Sequence, residues 1–134
     1  YVYMSFKKVR NAHKTENTED YLELIADLLN QNGEARIVDI AKKLDIAQAT
    51  ANKTIQRLHA QGYIKKEPYR SIFLTLKGQE IASNSKKRHK IVYNFLINLG
   101  VDNQTATTDS EGIEHHVSKQ TLIKMDKFNK LKNK

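Results

Sequence analysis

The chain has 134 residues, of which 39% are hydrophobic, so it is long enough for one domain or for a small domain with an extension. It contains no cysteine, which excludes disulfides, thiolate metal sites and cysteine nucleophiles and is typical of a reducing compartment. Lysine and arginine total 23 against 15 acidic residues, and the resulting net charge of +8 favours a polyanionic partner such as nucleic acid.

The first 17 residues show no firm hydrophobic period, and we interpret residues 1–17 as a flexible basic arm. They lack the apolar core of an export signal. No apolar run elsewhere approaches the roughly 20 residues that a membrane span needs. We therefore expect a cytoplasmic protein with no membrane partner.

A first helix is predicted from Thr18, as its N-cap, to about Gln31, before a typical helix end at Asn32-Gly33. Asp20 and Glu23 lie one turn apart at the edge of its apolar face. Taken alone, two acids in a first turn are explained by a favourable interaction with the helix dipole. The apolar face consists of Tyr21, Leu24, Ile25, Leu28 and Leu29.

Two short helices across a tight turn are predicted next, which is the helix-turn-helix pattern. The first covers residues 37–44, the turn begins at Asp45, and the second runs from Gln48 to about Ala60. Two strands, residues 63–67 and 71–75, follow as a hairpin around a turn at residues 68–70. The order of helix, helix-turn-helix and hairpin indicates a winged helix that binds DNA. The alternative is a winged helix that serves only protein contacts.

The second helix of this motif turns Ala51, Ile55 and Leu58 inward, so its other side chains form an outward polar face. The glutamine and asparagine of that face suit adenine edges, and its lysine and arginine suit phosphates. Any single member would look the same on a solvated surface, so only the set on this scaffold supports DNA contact. The predicted set is Gln48, Ala49, Thr50, Asn52, Lys53, Gln56 and Arg57, with Lys65, Lys66 and Arg70 of the hairpin.

One long helix is predicted between Leu76 and Leu99, with no proline to interrupt it. Its middle, Ser83–Arg88, is polar on all sides, and we interpret the helix as a bridge between two bodies. His89 lies beside the apolar stripe, where a lone histidine is usually a partly buried structural residue. We place a winged-helix domain at residues 18–78 and a helical domain at residues 79–134.

Two further helices are predicted after Gly100, with Asp102 and Ser118 as their N-caps. The tail from Lys124 contains five lysines and is expected to fray. The expected fold class is therefore mostly α with a small β-hairpin wing.

The helix after Asp102 carries a concentration of possible metal ligands. Glu111, Glu114 and His115 are three and four residues apart and would share one helical face. Ile113 and Val117 would point roughly opposite. This pattern indicates a ligand face turned inward.

Six residues of the chain together offer carboxylate oxygens and imidazole nitrogens without sulfur. Such donors suit manganese or ferrous iron, and less strongly magnesium or zinc. Four carboxylates and two imidazoles can hold two divalent ions if some carboxylates bridge. Without cations the acids would repel one another and their pKa values would rise. The candidate ligands are Asp20, Glu23, His89, Glu111, Glu114 and His115.

These residues resemble the manganese-sensing branch of the diphtheria toxin repressor family. The likeness covers about residues 18–118 and is most specific at Glu19–Glu23, Arg88-His89 and Glu111–His116. It implies a homodimeric winged-helix repressor with a helical metal-binding and dimerisation domain. It also implies a pair of manganese ions per subunit held by Asp20, Glu23, His89, Glu111, Glu114 and His115.

The resemblance further implies that Glu23 and Glu114 bridge the two ions, and that the metal-loaded dimer binds a palindromic operator at manganese-uptake genes. The iron-sensing branch has a sulfur ligand where this chain has Glu114, which favours manganese. Ferrous iron remains the alternative, and we expect zinc or cadmium to substitute in vitro.

Three other functions compete with this interpretation. A winged-helix regulator that senses a small organic ligand would leave the six aligned ligands unexplained. A dinuclear hydrolase needs an open coordination position, a water nucleophile and a substrate cleft, for which the sequence offers no extra acid, base or oxyanion loop. A nucleoid-type basic protein would show no sequence preference once salt is raised. We therefore expect neither enzymatic activity nor a small organic substrate.

Overall fold

A computed structural model describes the backbone of residues 6–67 and 71–133 and the side chains of residues 17–67 and 71–133. The predicted turn at 68–70, with Arg70, and residues 1–5 of the predicted arm lie outside the described residues. The elements in chain order are α1 (Phe6–Asn32), α2 (Ile37–Leu44), α3 (Gln48–Ala60), β1 (Ile64–Lys66), β2 (Ile72–Leu74), α4 (Leu76–Asn98), α5 (Asn103–Glu114) and α6 (Lys119–Lys132).

The predicted fold class is confirmed, since helices dominate and one hairpin follows the helix-turn-helix. The backbone separates into two compact units, Asn17–Ser83 and Asn84–Lys134, and the start of α1 up to Glu16 is grouped with the second. The boundaries therefore fall inside α1 and α4. Across the described part of the chain, every helix is too short or too polar to span a bilayer.

The first helix is longer than predicted. α1 begins at Phe6, so Thr18 lies inside the helix and the prediction that it caps the N-terminus is wrong. Residues 6–17 contain neither glycine nor proline, and therefore nothing in that stretch breaks a helix. A polar segment without a firm hydrophobic period did not predict a helix of this length.

The unit Asn17–Ser83 has a core formed where α1 meets the helix-turn-helix and the hairpin. Leu22, Ile25 and Ile40 are fully buried, and each such side chain stabilises the fold by about 1.5–3 kcal/mol. Leu22 was absent from the predicted stripe, whereas the predicted Leu24 is only half-buried. The face of α1 that is buried is therefore rotated slightly from the apolar face that residue spacing predicts.

The helix-turn-helix agrees with its prediction. α2 ends at Leu44, and its C-cap Asp45 has a φ of 55°, in the left-handed region that a tight turn requires. α3 begins and ends at the predicted residues, and its inward side chains are buried as expected. These are Ala51, Ile55 and Leu58.

The hairpin is antiparallel, with Ile64 opposite Leu74 and Lys66 opposite Ile72. Its second strand also bonds to the segment before α2, because the backbone N–H of Ile72 donates to the carbonyl of Ala35 at 2.8 Å. The buried Ser71 hydroxyl donates to the same carbonyl at 3.1 Å. The wing is therefore fixed to the segment before α2 by one backbone hydrogen bond and one from the Ser71 hydroxyl.

The start of α4 lies very close to the hairpin. Thr75 accepts a bond from the backbone N–H of Gly78 at 3.1 Å, and its hydroxyl donates to the carbonyl of Gly62 at 2.7 Å. Gly78 is buried, and a methyl group there would overlap the backbone carbonyl of Tyr63. Glycine is therefore required at this position by the close approach of two backbones.

In the unit Asn84–Lys134, both predicted N-caps are confirmed. The Asp102 carboxylate accepts from the backbone N–H of Thr105 at 2.9 Å, and the Ser118 hydroxyl accepts from that of Thr121 at 3.2 Å. Each bond satisfies a backbone donor that would otherwise have no partner in the first turn.

The prediction that the tail from Lys124 frays is wrong, because α6 continues to Lys132. The buried Asn129 side chain donates to the carbonyl of Ile91 at 3.0 Å and accepts from Asn98 at 3.0 Å. Phe128 packs edge-on against Phe95 with 5.3 Å between ring centroids. These contacts to α4 hold the lysine-rich segment in helical form.

We expect Gly78→Ala to lower the free energy of unfolding by at least about 2 kcal/mol, because the hairpin has to move away from α4. Gly112→Ala is the matched control, since open space surrounds that helical position and alanine there should add up to about 1 kcal/mol. Urea unfolding of both variants measures the difference. Equal midpoints would contradict the close approach.

We also expect Asp102→Asn to reduce the acid sensitivity of the fold. Hydrogen bonds from Thr105, first its backbone N–H and then its hydroxyl, lower the pKa of Asp102 from 3.8. The stabilisation from a lowered carboxyl pKa is complete above the unfolded value and is lost as pH falls through the folded value. Asparagine keeps an acceptor that does not titrate. Between pH 7 and about pH 3, the wild type should lose more thermal stability than Asp102→Asn. An equal loss would contradict the expectation. Asp109→Asn in the same helix is the control.

Candidate metal centre and nucleic-acid interface

Glu114, the last residue of α5, is a buried carboxylate with a side chain only 2% exposed. The Ser85 hydroxyl lies 3.4 Å from both of its oxygens. Arg88 Nε lies 3.8 Å from Oε2, and His115 Nε2 lies 3.5 Å from Oε1. All four residues belong to the unit Asn84–Lys134, with Ser85 and Arg88 contributed by α4.

These distances are longer than the 2.7–3.2 Å of a strong hydrogen bond. The carboxylate has a hydroxyl, an imidazole and the permanently charged Arg88 guanidinium beside it. A buried carboxylate is costly unless its charge is compensated. A carboxylate beside an imidazole is a donor set that fits a hard divalent ion such as manganese.

The predicted ligand face is only partly turned inward. Glu114 and His115 meet in the buried cluster, whereas Glu111 is exposed. α5 ends at Glu114, and His115 is its C-cap with helical backbone angles. The expectation that Val117 lies on an opposite helical face is wrong, because Val117 follows the end of the helix.

The remaining predicted ligands lie on α1 and α4. Asp20 is exposed and Glu23 is half-buried, three residues apart on one side of α1. His89 is half-buried on α4, one residue after Arg88. The first pair belongs to the unit Asn17–Ser83 and His89 to the other.

Two members of the Glu114 cluster were missed by the sequence analysis, which interpreted Ser83–Arg88 as polar on all sides. Ser85 is fully buried and Arg88 is half-buried. A signal was present, because Ser85, Arg88 and His89 are spaced three and four residues apart and therefore share one helical face. Ser85 and Arg88 could have been identified because they share a helical face with the candidate ligand His89.

The predicted DNA-contacting face of α3 is largely solvent-exposed. Asn52 is half-buried, and the hairpin lysines Lys65 and Lys66 are exposed. Arg70 lies outside the described residues. The exposed members on α3 are Gln48, Ala49, Thr50, Lys53 and Gln56.

Arg57 differs from the rest of this face because protein acceptors surround its guanidinium. Nη1 donates to the Thr18 hydroxyl at 2.9 Å and to the Gln61 amide oxygen at 3.2 Å. Nη2 donates to the Asn17 amide oxygen at 3.1 Å. No local pattern in the sequence predicts this contact, because the partners on α1 are about 40 residues away.

Comparison with known proteins identifies two family domains. Residues 13–72 match the domain described as iron dependent repressor, N-terminal DNA binding domain. Residues 75–131 match the iron dependent repressor metal binding and dimerisation domain. The chain belongs to the iron dependent repressor family. This family comprises metal-dependent transcriptional regulators rather than enzymes, and the resemblance seen in the sequence is confirmed.

This repressor-family chain is 49% identical over 117 residues to the transcriptional regulator MntR of Escherichia coli O6:H1, covering 87% of this chain and 76% of that protein. It is 39% identical over 104 residues to the HTH-type transcriptional regulator MntR of Shouchella clausii, covering 78% and 73%. The structure of the manganese regulator SloR superposes with a TM-score of 0.73 at 28% identity over 83% of this chain. The chain spans 52% of the length of SloR.

In metal-free protein, we expect Arg88→Met to lower the free energy of unfolding by about 1–3 kcal/mol relative to Lys90→Met. Both substitutions remove one positive charge from α4, but only Arg88 lies against the buried Glu114 carboxylate. Chemical denaturation in the presence of a chelator measures the difference. Equal stabilities would show that Arg88 does not compensate this charge.

Proposed function

We propose that this protein is a manganese-responsive, sequence-specific DNA-binding transcriptional repressor of manganese-uptake genes that acts in the cytoplasm. The observation that carries the proposal is the buried Glu114 carboxylate beside His115, in a chain of a metal-dependent repressor family. The relatives named MntR and the manganese regulator SloR support manganese as the inducing metal.

We propose that two divalent ions bind each subunit, with Glu23 and Glu114 as bridging carboxylates. The ions would supply the positive charge that balances this concentration of carboxylates. The donor chemistry supports this assignment, because every candidate is an oxygen or nitrogen ligand and the chain has no cysteine. The proposed ligands are Asp20, Glu23, His89, Glu111, Glu114 and His115.

Ferrous iron is the second candidate, and the description of the matched family as iron dependent repressors favours it. Carboxylates and imidazoles bind both ions, and zinc binds such ligands more tightly than either. Selectivity would therefore depend on coordination geometry and on occupancy of the second position rather than on affinity alone. Zinc and cadmium are expected to substitute in vitro.

On the DNA side, we propose that α3 enters the major groove, with its N-terminal residues at base edges. Gln48 and Asn52 suit adenine, and Ala49 suits a thymine methyl. We leave Arg57 out of this set because its guanidinium already donates to three protein acceptors. Phosphate contacts would come from Thr50, Lys53, Gln56, Lys65, Lys66 and Arg70.

The proposed switch depends on a homodimer whose two recognition helices must enter successive major grooves, about 34 Å apart, on a palindromic operator. Asp20 and Glu23 belong to the DNA-binding unit, and the other four proposed ligands belong to the dimerisation unit. Ligands drawn from both units would restrict the conformations in which all of them are satisfied. The population would then shift towards the spacing that fits the operator.

We expect manganese to raise operator affinity by about 5- to 150-fold at fixed salt, the usual range for coupled sites. Glu111→Ala should abolish most of this gain, because it removes one proposed ligand from an exposed position where folding does not depend on it. Asp109→Ala, an exposed acid on the same helix, is the control and should respond as the wild type does. Fluorescence anisotropy with labelled operator measures all three proteins.

Equal binding by the wild type and Glu111→Ala, with and without manganese, would contradict the switch. Parallel titrations with manganese, ferrous iron and zinc at the same salt concentration separate the two candidate inducers. A gain restricted to ferrous iron would replace manganese in the proposal.

A further inference from the structure

The three hydrogen bonds of Arg57 connect the proposed recognition helix α3 with α1. Two of them cross from α3 to α1, at 2.9 Å to Thr18 and 3.1 Å to Asn17. The third, to Gln61, stays beside the end of α3 and limits the rotation of the guanidinium. All four residues lie in the unit Asn17–Ser83.

The acceptors on α1 lie one turn or less before the proposed metal ligand Asp20. Asn17 precedes Asp20 by three residues and is therefore its neighbour on one helical face. A guanidinium is planar and always charged, so two bonds to adjacent residues fix both its position and its orientation. Of the two bonds to α1, the one to Thr18 is partly buried and the one to Asn17 is exposed, so competition from water is lower at Thr18.

We propose that Arg57 is a positioning residue that transmits the metal-bound state of α1 to α3. The inference rests on the proposed function, since it needs Asp20 and Glu23 to bind metal. A constraint on Asp20 reaches Asn17 and Thr18 within one rigid helical turn. The guanidinium then passes the constraint to α3, which also carries the base-contacting residues Gln48 and Asn52.

A direct phosphate contact is the competing role for Arg57, and the two roles differ in what they change. A phosphate contact contributes to metal-free and metal-bound affinity alike, and its loss reduces the salt slope by about 0.9. A positioning contact changes the gain in affinity that manganese produces. Substitution of Thr18 removes one of the hydrogen bonds between Arg57 and α1. It leaves every proposed DNA contact in place.

The decisive variant is Thr18→Val, which keeps the shape of the side chain and removes the acceptor hydroxyl. Operator affinity is measured with and without manganese across a salt series. We expect the manganese-dependent gain to fall at least about fivefold, with metal-free affinity and salt slope unchanged. Thr18→Ser retains the hydroxyl and should keep the wild-type gain. The double variant Arg57→Met/Thr18→Val should show no smaller gain than Arg57→Met alone, because Arg57→Met already removes the bond to Thr18.

Three results would overturn the inference. One is a manganese-dependent gain in operator affinity in Thr18→Val equal to that of the wild type. Another is an equal loss of that gain in Thr18→Val and Thr18→Ser. The third is a smaller salt slope in Arg57→Met with Thr18→Val unaffected, which would assign Arg57 to a phosphate. The wild-type measurement tests the proposed function separately, since a wild type without any manganese gain removes that function and this inference with it.

Discussion

The buried carboxylate of Glu114 is the constraint on which the structure of the C-terminal unit depends. A charge with 2% of its side chain exposed requires compensation, and α4 supplies it with the Ser85 hydroxyl and the Arg88 guanidinium. This requirement explains why Ser85 is buried in an otherwise largely exposed polar segment of a long helix. It also keeps the end of α5 against α4, where His115 lies beside the carboxylate. The proposed ligands Glu114 and His115 therefore lie in the same cluster that holds α5 against α4.

In the unit Asn17–Ser83, by contrast, the cation Arg57 is held by neutral partners. Arg57 donates to hydroxyl and amide oxygens in these bonds, and none of the three acceptors is an acid. Its fixed geometry links two helices whose apolar faces already share the core through Leu22 and Leu58. The hydrogen bonds of Arg57 therefore fix the orientation of α3 relative to α1. Apolar burial alone would specify that orientation less closely.

Local patterns predicted the parts of the fold that local chemistry determines. Ala51, Ile55 and Leu58 repeat at helical spacing, and Asp102 and Ser118 bond within their own first turns, so each was readable from a few neighbouring residues. The start of α1 was missed because its first turns have no apolar period. The buried Ser85 and the partners of Arg57 depend on contacts across 29 to 40 residues, which periodicity does not report. The candidate metal ligands were recognisable from residue type and family resemblance, whereas their unequal exposure required the structure.

The close approach at Gly78 has a mechanical consequence. The backbone of Gly78 lies directly against the backbone carbonyl of Tyr63. No side chain lies between these two backbone segments, so no rotamer change can absorb a movement there. The hairpin cannot pivot at its base as a hinged flap would. At Ile72 the second strand is also bonded to the carbonyl of Ala35. The two strands are therefore restrained at two places, by the first turn of α4 at Tyr63 and by the segment before α2 at Ile72.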